Sequence, residues 1–272
     1  MRPVAIRTGR NMRTGTGTGT IISTITITTT TIPAKMDTHP TAIAEPAPGL
    51  AGLPLLRLCQ LVSPAAPVGA FNFSQGLEYA ESAGWIRDAD EAYTWIAGVA
   101  RNAIGTLDLP LLLRLHAALE RDDDAAALDL SRRLIAARDS AELRAEDRHM
   151  GRALAKLLVE IGVPAASAWR HRDDASYAAL FAVAAVHGKV DARSAALGYL
   201  WAWSENQVIA CVKLLPLGQS AGQRVLDRLL REMPAIVAAA AGMADDDIGV
   251  SNPAQGLASA LHETQYTRLF RS

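Results

Sequence analysis

From Asp88 to about residue 264 the apolar residues of this chain return every three or four positions, and after residue 50 nothing alternates with period two. Side chains three and four apart share one face of an α-helix, so such a chain must bury helices against helices. Its many alanines also argue against a sheet. Ala92, Trp95, Ile96, Val99 and Ala103 trace one such stripe, opened by Asp88 and Glu91 in the arrangement of a capping box. Asp108 can cap a helix that takes Pro110 in its first turn and runs through Leu119. Asp122, Asp123 and Asp124 favour the positive end of a helix from Ala125 to about Arg138. Ser140 to Ile161 reads as a long helix with Leu143, Met150, Leu154, Leu157 and Leu158 inward, ended by Gly162 and Pro164. Asp174 opens a helix that Gly188 stops, and Asp191 opens one to about Leu215. After a break at Pro216 and Gly218, Ser220 caps a helix that Pro234 should kink or split. Asn252 and Pro253 begin the last helix, to about Thr264. The expected fold is all-α: one domain of roughly ten helices over residues 50–272, antiparallel where the loops are short.

Ahead of that region, Leu55–Glu78 reads as two helices joined by an apolar linker. Pro64 and Pro67 end the first helix near Val62, Gly69 allows a turn, and Ser74 can cap a helix from Gln75 to Ser82 that Gly84 closes. A linker carrying Val68, Phe71 and Phe73 must bury them in its own core or against another protein.

Residues 1–49 are different in kind. They hold Arg-rich and Thr/Gly-rich runs, then a Pro/Ala spacer, with no aromatic residue. The spacing around Gly15, Gly17 and Gly19 matches neither a dinucleotide nor a phosphate loop. A disordered low-complexity leader is expected, with translation starting at Met36; intact mass of protein made from the native gene tests that start. No segment reads as apolar for long enough to span a bilayer. A formal net charge of −1 gives no electrostatic reason for nucleic acid or an acidic membrane as partner. Cys59 and Cys211 lie in apolar helical patterns and are expected as buried thiols of a cytoplasmic protein.

Catalytic motifs do not emerge. The six histidines are scattered, with no HExxH and no CxxC. Glu146 and His149 form a Glu-x-x-His pair, but a carboxylate-bridged dimetal bundle needs that motif twice. An α-helical metal enzyme on Glu146 and His149 is therefore the alternative reading, and a plain helical scaffold is a third. The charges Glu142, Arg144, Glu146, Asp147, Arg148 and Arg152, taken alone, describe a solvated helix face. The tail is less bland. Tyr266, Leu269 and Phe270 are interleaved with Arg268 and Arg271, a poor composition for a purely solvated end, and a loosely held docking peptide is expected.

Several blocks, in order, resemble the urease accessory protein UreF family. They are Ser63-Pro64, Pro67-Val68-Gly69, Phe71 and Ser74-Gln75-Gly76-Leu77-Glu78; then Ala141 to Arg148; then Asn206-Gln207-Val208 and Lys213 to Gln219; and finally His262 to Ser272. Ala66, Ala70 and Asn72 depart from the first block, where Leu, Gly and Ser are common. The resemblance implies a non-enzymatic, cofactor-free co-chaperone for nickel insertion. It would act with UreD (also called UreH), the GTPase UreG and the urease apoprotein, as a homodimer within the complex. The partner-binding residues to test are Phe71, Phe73, Glu142, Arg144, Glu146, Asp147, Gln265, Tyr266, Arg268, Leu269, Phe270 and Arg271.

Overall fold

The computed structural model describes residues 50–249 and 252–272; the expectations for residues 1–49 and for a start at Met36 lie outside the described residues. Those described form ten α-helices, three short 3-10 turns and one π-helical stretch, with no strand among them. The helices are α1 (Gly52–Leu61), α2 (Leu77–Ser82), α3 (Ala89–Val99), α4 (Leu109–Glu120), α5 (Asp124–Ala136), α6 (Ala141–Glu160), α7 (Tyr177–His187), α8 (Ala192–Leu214), α9 (Gln219–Ala241) and α10 (Pro253–His262). The all-α expectation is met.

Helix α7 is the hub because it is apolar all round. Ala178, Ala179, Leu180, Phe181, Ala182, Val183 and Ala185 are all buried, as a helix ringed by others requires. Helices α4 and α6 pack on it most closely, and α5, α8 and α1 also touch it. Helix α9 lies along α8 and α3, while α10 lies on α2 and α6.

The caps mostly follow the sequence. Asp88, Asp123, Ser140, Asp191 and Asn252 each accept a backbone amide from the first turn of their helix. Two differ. Ser176, not Asp174, caps α7, because the Asp174 carboxylate is held by Arg172 and Arg132; Arg172 leads in lowering its pKa to about 2. Helix α9 starts after Gly218 without a side-chain cap and runs unbroken through Pro234. Pro234 and Leu230 are both exposed, so the carbonyl that loses its amide partner lies on the solvated side.

Asp108 is not a cap. The π-helical stretch Ala100–Asp108 joins α3 to α4, and Asp108 sits inside the joined helix, buried. Pro110 explains the irregularity, since it has no amide to give to the Thr106 carbonyl four residues back. The Gly249 amide fills that place at 3.0 Å. The joined run, Ala89–Glu120, is long and apolar enough to cross a membrane by length and composition, contrary to the expectation that no segment is. Of its most apolar window, 67 % is buried inside the protein, so that apolarity serves the core.

Cys211 is buried, which pushes its thiol up to about 12. Cys59 is exposed rather than buried, because α1 buries none of its residues and leaves Leu53, Leu55 and Leu56 in the open as well.

Candidate functional site

The apolar linker and the end of the chain meet in one polar seat. Helix α2 begins at Leu77, later than expected, because Gln75 and Gly76 both take left-handed conformations, with φ of 55° and 84°. Gly76 is required there: a Cβ would stand 2.8 Å from the Ser259 backbone nitrogen in α10. The turn aims the Ser74 and Gln75 amides at the Ser272 main-chain oxygen, at 2.7 and 3.0 Å, and the Ser74 hydroxyl donates to the same oxygen. Ser74 therefore serves both: its hydroxyl holds the tail and accepts the Glu78 amide of the first turn of α2 at 3.3 Å, although that helix starts at Leu77 rather than Gln75.

Buried carboxylates grip the tail from below. Glu78 accepts the Leu269 and Phe270 amides, the latter at 2.9 Å, and contacts Nε2 of His262 at 3.1 Å. The other ring nitrogen of His262 meets Glu142 at 2.7 Å, and Glu142 also takes Nη1 of Arg268 at 2.7 Å. Glu146 accepts Nε2 of Gln75 at 2.7 Å and the Ser272 hydroxyl at 2.8 Å. Gln75 is itself oriented by the Trp203 indole N–H, at 2.7 Å. The Phe270 ring is buried beneath Lys213, whose ammonium lies 5.5 Å from its centroid. The Arg271 amide donates to the Asn72 carbonyl at 2.8 Å.

The tail expectation is thus corrected. Residues 269–272 are held in place, because buried carboxylates and backbone amides satisfy them. Removing residues 269–272 should lower stability by about 3–5 kcal/mol, since the buried Phe270 ring is lost and Glu78 and Glu146 lose their tail donors. Chemical denaturation of the truncated protein checks this; an unchanged midpoint refutes it.

A second polar layer lies behind the first. Arg138 forks onto Asp108 at 2.9 and 2.6 Å and reaches Asp147 at 3.0 Å. Tyr199 donates to Asp108 at 2.9 Å, and Asp147 accepts the Tyr177 amide at 2.7 Å. A cavity of about 70 Å³ separates the layers, bordered by Gln75, Asp108, Arg138, Glu146, Tyr199 and Trp203. Burial raises the Glu146 pKa to about 7; Gln75, Ser272 and Arg138 pull it down and Asp147 adds to the rise. Burial likewise raises Asp147, against the pull of Arg138.

The expected site residues sort cleanly by exposure. Phe73 is 4 % exposed, with its ring edge-on to His149 at 5.8 Å, whereas Phe71 is 55 % exposed. Phe73→Ala should cost about 3–5 kcal/mol as a core truncation, read by thermal melting. Glu146 and Asp147 are buried, so the solvated-face reading fails for them. Arg144 bonds the Arg138 carbonyl at 2.8 Å. Gln265 donates to the Thr267 carbonyl, Tyr266 is fully exposed, and Leu269 is largely so. Neither the Glu78–His262 pair nor the Asp108–Arg138–Asp147 group is signalled by spacing, because each spans several helices. The metal alternative fares poorly. Both Glu146 oxygens are taken by the protein, and among the described residues no group of three His, Cys, Asp or Glu is disposed to hold an ion.

The described residues thus form a helical bundle whose buried carboxylates hold the end of its own tail, with Tyr266, Arg268, Leu269 and Arg271 exposed. The UreF family profile matches residues 86–230. The urease accessory protein UreF of Alkalilimnicola ehrlichii is 46 % identical over 221 residues, covering 81 % of this chain and 97 % of that protein. The protein of the same name from Hahella chejuensis is 47 % identical over 220 residues, covering 81 % and 99 %. Brucella anthropi urease accessory protein UreF 2 is 42 % identical over 220 residues, covering 81 % and 97 %. The chain belongs to the UreF family of urease accessory proteins, which are accessory factors and not enzymes.

Proposed function

We propose that this protein is a cytoplasmic co-chaperone for nickel insertion into urease. It docks UreD (UreH) through its seated tail, recruits the GTPase UreG through that complex, and acts on the urease apoprotein as a homodimer. One observation carries the reading: the seat holds the tail backbone while leaving Tyr266, Leu269, Arg268 and Arg271 exposed. Phe71, also exposed, precedes the residue whose carbonyl receives the Arg271 amide. Aromatic and arginine side chains are the usual anchors of interfaces, and a backbone already fixed loses less entropy on binding. Glu142, Glu146 and Asp147 then serve recognition by holding the tail and its surroundings, and Arg144 by fixing the segment at Arg138.

A pull-down with UreD and UreG tests the reading. Tyr266→Ala combined with Leu269→Ala should cut UreD capture by roughly 30-fold or more, the scale of an interface hot spot. Melting should not change, because both side chains are exposed. Full capture by this variant would refute the tail as the dock. Phe71→Ala should act in the same direction.

A further inference from the structure

The geometry points to Glu146 as a proton-responsive clasp that ties the tail to the linker and loosens as its proton is lost. Glu146 is the one carboxylate that bridges Gln75 of the linker turn and Ser272 of the tail. Neither donating group, an amide N–H and a hydroxyl, is charged. The ionised form is therefore buried with neutral donors on both oxygens, while Arg138 acts only from a distance. The protonated form fits the same place, since its O–H can donate to the Ser272 hydroxyl while the other oxygen keeps Gln75.

Charged groups surround the clasp on every side. From α6 come Glu142, Asp147, His149 and Arg152, from the segment ahead of it Arg138, and across the cavity Asp108. The tail contributes Arg268 and Arg271, α2 contributes Glu78, and α10 contributes His262. Helix α8 presents Trp203, Asn206 and Tyr199, whose phenol burial keeps neutral. Asp147 opposes ionisation of Glu146 and Arg138 favours it, but burial outweighs both and sets the seated pKa near 7.

The sign follows from linkage. When the tail lifts, water reaches Glu146 and its pKa returns toward the ordinary value of 4.5. The seated state then binds the proton better than the released state does. Its advantage is complete below about pH 4.5, declines by up to about tenfold per pH unit, and is gone above about pH 7. The seat is tight in acid and loosest at neutral pH and above.

Hydrogen exchange of the Leu269 and Phe270 amides reads the seat directly, since both are held by Glu78. Measured from about pH 5 to 8 and corrected for exchange chemistry, their protection should fall by up to about tenfold per unit and level above about pH 7. Glu146→Gln copies the protonated form and should keep the amides protected throughout, with less than about threefold change. His262, Glu78 and Glu142 are common to both proteins, so the comparison removes their contribution. Ser272→Ala removes the tail's half of the clasp and should lower protection in acid and flatten the profile, with an unchanged circular dichroism spectrum. Superimposable profiles for the wild type and Glu146→Gln would overturn the assignment, as would a flat wild-type profile. If Glu146→Gln does not fold, Ser272→Ala decides, and an undiminished pH slope in it overturns the clasp.

Discussion

Arg138→Met is expected to destabilise the protein by about 3–5 kcal/mol and to lower its Tm by roughly 10 °C. The guanidinium is the common partner of two carboxylates, Asp108 and Asp147, that are almost wholly buried. Methionine fills much of the space but leaves both without a countercharge, the costly way to break a buried ion group. Lysine cannot replace it, because one ammonium cannot reproduce the fork onto Asp108 and the third bond to Asp147. The loss should shrink as pH falls. The stranded carboxyls of the variant have raised pKa values, so its folded state takes up protons that its unfolded state does not. Adding Asp108→Asn and Asp147→Asn to Arg138→Met should recover most of the stability, because no unpaired charge is then buried. Thermal melts of the three proteins check this. A single variant that melts within about two degrees of wild type, less than 1 kcal/mol in a domain this size, would refute it.

Gly151→Ala is expected to cost about 2 kcal/mol net, although alanine is the better helix former by about 1 kcal/mol. Gly151 lies in α6, where a Cβ would stand 2.1 Å from the Ala175 carbonyl oxygen and 2.9 Å from main-chain carbons of Ala175 and Ser176. Backbone faces backbone, so no rotamer change relieves the contact. The segment that must move is tied on both sides: Ser131 bonds the Asp174 carbonyl and the Ser176 amide, and Tyr177 bonds Asp147. Displacement therefore reaches the Arg138 group, and near-ultraviolet dichroism should change along with Tm. Gly98→Ala gives the contrast. It lies in α3 with nothing within 4 Å of its Cβ position, so the same change should stabilise by about 0.5–1 kcal/mol. Equal effects at the two positions would refute the close-contact account.

The helices were legible because their signals are local. Asp88, Ser140, Asp191 and Asn252 announce helix starts within three residues of the amides they cap, and the apolar stripe of α6 is written in its own spacing. Asp108 was misread for the same reason. Its place before a proline looks like a cap, and only the Gly249 amide, far along the chain, lets the helix continue. The seat was half legible. The tail and the linker were both out of character as surface segments, yet nothing in either names Glu78, Glu146 or His262 as what joins them. Buried carboxylates and solvated ones look alike in a sequence, and only the fold of α2, α6 and α10 separates Glu146 from the exposed Glu160 of the same helix.

The hydrogen bonds between Ser74 and Ser272 close a loop of 198 residues. At ~5–20 residues per second, a ribosome reaches Ser272 some 10–40 s after it has made Ser74. During that interval the linker, α2 and α6 can fold, but Ser74, Glu78 and Glu146 lack the partners that the tail supplies. The seat is thus the last part of the domain to be completed, and a surface displayed on the tail exists only on chains whose synthesis has passed it.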